Sequence, residues 1–134
     1  DGIENRLARV IFGVPAIKGI SFGGGFDICS RLGSEVNDAF TMNGDKITTT
    51  TNNSGGIQGG ITNGLPLVMQ VGIKPTPSIY KEQHSVSLSQ KEDTLLTIKG
   101  RHDPCVALRA VPVIEAVTAL VILDFLGDID HELR

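Results

Sequence analysis

Residues 105–126 are aliphatic almost without interruption, and no other stretch restricts the fold as strongly. Val, Leu, Ile and Ala at this density must leave water, because each apolar Å² buried is worth about 25 cal/mol. Arg109, Glu115 and Asp124 break the run, so no uncharged window of the roughly eighteen residues a membrane span needs survives. The expectation is a core helix and no membrane. Asp103 and Pro104 ahead of it read as an N-cap and first-turn pair. Pro112 should kink the helix or divide it in two.

The rest of the chain must supply what packs on that helix. Ile3, Leu7, Val10, Ile11 and Val14 recur at helical spacing, Asp1 with Glu4 suggests a capping box, and Pro15 ends the segment. Residues 18–22 alternate like a strand and run into three glycines, and residues 28–40 suggest a short helix weakened by Gly33. Residues 46–51 read as a Thr-rich strand. Residues 52–64 form a Gly- and Asn-rich loop with Asn63-Gly64 as its hairpin turn. A buried strand over 65–73 should end before Pro75 and Pro77, with further strands at 84–88 and 94–99. Helices and strands come in groups without a βαβ rhythm, which gives an α+β class in one domain, residues 1–134. With aromatics at 4% and no Trp, the core must be aliphatic.

Net charge is −3, and no basic run is present, so a nucleic-acid partner is not expected. Cys29 and Cys105 have neither C-x-x-C nor metal spacing and read as reduced thiols of a cytoplasmic protein, with no metal site. The chain opens at Asp1 directly into an amphipathic helix, as a piece of a longer protein would.

Three constellations could carry chemistry. In the loop 52–64, two Gly-Gly pairs let backbone amides gather around a phosphate or another chain, or simply make a long hairpin loop. The absence of bulk over residues 54–56 argues for close packing against a partner surface. A nucleotide loop is disfavoured, because the Walker Lys and the G-x-G-x-x-G order are missing. Lys74, between a strand end and two prolines, is placed for an anionic ligand with Ser78 beside it, or is an ordinary solvated lysine. Arg101, His102 and Asp103 converge at a strand end and a helix mouth. Arg there suits an anion, and Asp there suits a base or only a cap.

Taken in order, these segments resemble chorismate synthases. The likeness runs through Val14-Pro15-Ala16-Ile17-Lys18-Gly19-Ile20-Ser21-Phe22-Gly23, Gly33-Ser34-Glu35-Val36-Asn37-Asp38 and the loop 52–64. It continues through Lys74-Pro75-Thr76-Pro77-Ser78, Gly100-Arg101-His102-Asp103-Pro104, Arg109-Ala110-Val111-Pro112-Val113 and Glu115-Ala116. The resemblance implies a lyase that converts 5-enolpyruvylshikimate-3-phosphate to chorismate and phosphate by anti-1,4-elimination with reduced FMN. It also implies a homotetramer built on a β-α-β sandwich, of which this chain would form half. By residue, Arg101 is implied as a catalytic residue that meets the substrate's anionic groups and helps hold the flavin. Asp103 is implied as the carboxylate of proton removal, working through the flavin N5, and Lys74, Ser78 and the Ala16 backbone as flavin cradle. NADP is associated with the family, and self-reduction and an external reductase both remain open.

The family's two essential histidines and its arginine cluster have no counterpart here, since His84, His102 and His131 stand elsewhere. The chain alone is therefore expected to be inactive, and Gly127-Asp128-Ile129-Asp130 departs from the apolar helix expected there. The alternative is a non-catalytic binding or assembly module that associates through the helix at 105–126.

Overall fold

The computed structural model describes residues 2–132. In chain order these form α1 (Ile3–Ile11), β1 (Ile17–Phe22), a 3-10 helix (Gly25–Ser30), α2 (Gly33–Val36), β2 (Phe40–Asn43) and β3 (Lys46–Thr49). The second half of the chain adds β4 (Ile57–Gln58), β5 (Ile61–Thr62), β6 (Met69–Ile73), β7 (Gln83–Ser87), β8 (Glu92–Leu96) and α3 (Ala107–Glu132). The strands form four two-stranded antiparallel sheets, β1 with β6, β2 with β3, β4 with β5 and β7 with β8, so the class is α+β.

In α1, Ile3, Leu7 and Ile11 fall four apart on one stripe and are buried, while Val10 lies beside it and is exposed. The stripe packs on α3 at Val121, with Ile17 and Ile57 completing a small aliphatic core. Ile114, Val117, Ile122 and Phe125 of α3 lie partly buried against that core. Arg6 fastens the two helices: its Nη1 donates to Asp124 Oδ2 at 2.9 Å and its guanidinium lies 4.2 Å from the Phe125 ring centre.

The long helix departs from expectation in two respects. It is not divided at Pro112, which the helix contains as its sixth residue, and it runs on through residues 127–130. Among the residues whose burial is described, one stripe is in the core, and Leu108, Val111, Leu120, Leu123 and Leu126 on the other sides are exposed. By length and composition the segment Ala107–Gly127 could also cross a bilayer.

The start of α1 is capped by backbone. Gly2 is the N-cap without a side-chain bond, and the Ile3 N–H donates to Gly60 O at 2.9 Å, while Asp1 of the expected capping box lies outside the described residues. Residues 28–40 are not one helix, because Asn37 turns the chain extended and Asp38 is drawn into the loop beyond Thr51. The chain then enters strand β2, whose return is signalled by Gly44-Asp45, a two-residue turn in which Gly44 has φ +62°. The hairpin of the glycine-rich loop also turns elsewhere. Gly59 and Gly60, both at positive φ, join β4 to β5, and Asn63-Gly64 lies beyond them.

Candidate functional site

At the end of α1, Pro15 stops the helix and Ala16 takes φ +70°, a left-handed conformation that costs an L-residue about 1–2 kcal/mol. This turn delivers the chain into β1 and aims the Ala16 carbonyl at the end of β6, where it accepts from the Lys74 N–H at 2.8 Å. The structure thus brings the Ala16 and Lys74 backbones together. Lys74 is exposed, Ser78 is half-buried, and neither side chain makes a hydrogen bond or ion pair with the described residues. Between them the Thr76 hydroxyl is sheltered from solvent and has no partner among the described residues. A free ammonium and an unmet hydroxyl within three residues fit an anionic, hydrogen-bonding cofactor.

Arg101, His102, Asp103, Pro104 and Arg109 line an open concavity of about 490 Å³. Asp103 is not the N-cap of α3. The helix begins at Ala107, its first turn closed by Arg109 and Ala110 N–H groups on the Val106 carbonyl. The Asp103 carboxylate is instead held at both oxygens: Oδ1 accepts from the Cys105 N–H at 3.3 Å, and Oδ2 lies 2.8 Å from Arg109 Nε. Arg101 is exposed on the same rim.

Tyr80 links this concavity to the Lys74 segment. Its hydroxyl donates to Gly100 O, and its ring meets the His102 ring edge-on, with centroids 4.9 Å apart. His102 in turn contacts Ile98 O through Nε2 at 3.1 Å, so this histidine braces the turn and does not stand free as a base. Sequence patterns alone did not single out Tyr80, Thr76 or Arg109 as site residues. A tyrosine two residues after Ser78 was the available signal for the first.

The glycine-rich loop does not belong to this site. Gly23 and Val68, which anchor it, lie at the far end of the β1–β6 pair, and five residues of strand put it about 17 Å from Lys74. Its amides do gather around an anion, but the anion is Asp38 of the same chain. Asp38 Oδ1 accepts from Thr51 Oγ1 at 2.6 Å and from the Asn53 N–H at 2.7 Å, and Oδ2 accepts from the Ser54 N–H at 2.7 Å. Burial alone would raise this carboxyl; the hydrogen bonds from Thr51, Ser54 and Asn53 outweigh it and bring the pKa down from 3.8 to about 2. The glycines of residues 54–56 are packed within the chain itself. Gly55 is pressed on Gly23 and Val68, where an added Cβ would sit 2.4 Å from Gly23 N and 2.6 Å from Val68 O.

A sequence profile described as chorismate synthase matches residues 1–126. The chain is 49% identical over 124 residues to a chorismate synthase of Dehalococcoides mccartyi, covering 92% of this chain and 34% of that one. It is 48% identical over 122 residues to one from Archaeoglobus fulgidus, covering 91% and 34%. A solved structure of a chorismate synthase superposes with a TM-score of 0.54 at 42% identity, over 57% of this chain and 23% of that one. The chain thus spans about a third of the length of the curated relatives it matches.

Proposed function

The chain belongs to the chorismate synthase family, and we propose that it contributes the flavin- and substrate-anion-binding portion of a lyase that forms chorismate from 5-enolpyruvylshikimate-3-phosphate. The observation that carries this reading is the concavity holding Arg101, Asp103 and Arg109, tied by Tyr80 to the segment of Lys74 and Ser78. Two anionic partners, the substrate and the FMN phosphate, call for cations, and Lys74 and Arg101 supply them. Lys74, Ser78 and the turn at Ala16 would hold the flavin. A reduced flavin held there would supply the electron density that the elimination needs.

The residues of this chain divide the remaining work. Arg101 binds and orients the substrate's anionic groups, and its fixed positive charge favours the departing phosphate over bulk water. Asp103 is the carboxylate on which the ring proton ends. The Cys105 N–H on one oxygen and the Arg109 ion pair on the other keep it oriented across the concavity, so no reorganisation is required at the moment of transfer. The family's acid histidines are not matched in this sequence, so the chain by itself makes no chorismate. Whole-enzyme activity, with a cytoplasmic location and a tetrameric assembly, would require the other two-thirds of the family's length.

Anaerobic titration with reduced FMN tests the cradle. Wild-type chain should bind, and Lys74→Ala and Arg101→Ala should each weaken binding about tenfold or more, the value of one charge-assisted contact. Equal affinity in all three proteins overturns the assignment. The bare flank of α3 favours a second reading, an assembly module without chemistry. That reading requires association and no flavin affinity.

A further inference from the structure

Arg109 also lines the concavity, and its geometry is unusual for a surface residue. Its side chain is 83% exposed, yet its Nε lies 2.8 Å from Oδ2 of Asp103, whose side chain is only 25% exposed. A carboxylate in a site meant for anions is an obstacle: it repels the ligand and competes with it for Arg101. Resting on the anion-site reading above, we propose that Arg109 is a positioning residue and internal counter-ion. It fixes the Asp103 carboxylate and cancels its charge, so that an anion can bind beside a base. With Oδ2 held by Arg109 and Oδ1 by the Cys105 N–H, the carboxylate cannot swing onto Arg101. The sequence sets this up by placing Arg109 six residues after Asp103, in the first turn of α3, where the helix presents it back over the preceding loop.

The signature of charge compensation is a reversal of sign, which a merely structural side chain does not produce. Inorganic phosphate is the probe, titrated into the 134-residue chain with binding followed by calorimetry. Arg109→Gln leaves Asp103 uncompensated and should weaken phosphate binding about fivefold, the upper end for an exposed charge. Asp103→Asn should tighten it by a similar factor. The double variant, with both charges gone, should return close to wild type. In parallel, the Arg109 Nε–Hε resonance should shift in Asp103→Asn, which reports the pair without any ligand. An unshifted resonance overturns the pairing. Phosphate binding in which Arg109→Gln changes nothing, or in which the double variant is as weak as the single, overturns the counter-ion role while leaving the anion site standing. A shifted resonance with no phosphate binding in wild type overturns the anion-site reading, and this proposal falls with it.

Discussion

Replacing Asp38 by Asn removes one negative charge and one acceptor from a carboxylate that is 2% exposed and holds the glycine-rich loop by three strong hydrogen bonds. The fall of its pKa from 3.8 to about 2 gives a first magnitude: about 2 kcal/mol of folding stability, at about 1.36 kcal/mol per pKa unit. The amide adds a second cost, since its NH₂ group must face either the Ser54 N–H or the Thr51 and Asn53 donors. A buried donor left unmet costs about 1–3 kcal/mol. Asp38→Asn should therefore cost about 3–5 kcal/mol at pH 7, and Thr51→Val, which removes one donor, about 1 kcal/mol. The pH dependence has a definite sign. Because folding depresses this pKa, the carboxylate's contribution is complete above 3.8, falls as pH drops through that value, and is gone below about 2. The gap between wild type and Asp38→Asn should therefore narrow as pH falls from about 5 toward 2. Urea unfolding followed by circular dichroism across that range measures it. A variant within about 0.5 kcal/mol of wild type at pH 7, or a gap that stays constant with pH, would refute the reasoning.

Gly55→Ala should cost about 3 kcal/mol or more in the same assay, since its Cβ would enter backbone at 2.4 Å with φ at +68°; a loss under about 1 kcal/mol would mean the loop yields easily. Ala16→Gly should stabilise by about 0.5–1 kcal/mol, the relief of φ +70° reduced by the entropy glycine loses, and a destabilised variant would contradict the strain. Asp103→Ala should cost under about 1 kcal/mol, as an exposed ion pair does, whereas a true N-cap would lose up to about 2. The chain should self-associate at micromolar concentration, because the uncovered leucines of α3 leave surface wet at about 25 cal/mol per Å², and a monomer in sedimentation velocity would count against this.

Local signals were legible wherever a residue's environment is set by its near neighbours. The stripe Ile3, Leu7, Ile11 fixed α1 and its buried face, and Pro15 and Pro75 marked where α1 and β6 stop. The motifs between Val14 and Ala116, taken in order, were enough to identify the family. Mistakes arose where one local pattern had two physical outcomes. Asp-Pro before an apolar run is the form of an N-cap, yet α3 begins at Ala107 and Asp103 pairs with Arg109. Asn-Gly is a hairpin turn by propensity, yet the turn between β4 and β5 is Gly59-Gly60, where the Gly60 carbonyl also caps α1.

Composition and periodicity determined α1, α3, the outlines of β1, β3, β6, β7 and β8, and the α+β class, because these depend on spacing along one segment; β2 and the short pair β4–β5 were not among them. Only the tertiary structure decided which anion the loop amides surround. Its donors lie at residues 51–54 and its acceptor at Asp38, and hydrogen-bond partners thirteen to sixteen residues apart are selected by chain closure, which no local pattern records. The same holds for Tyr80, joined to Gly100 across twenty residues, and hence for the union of the two candidate motifs into one site.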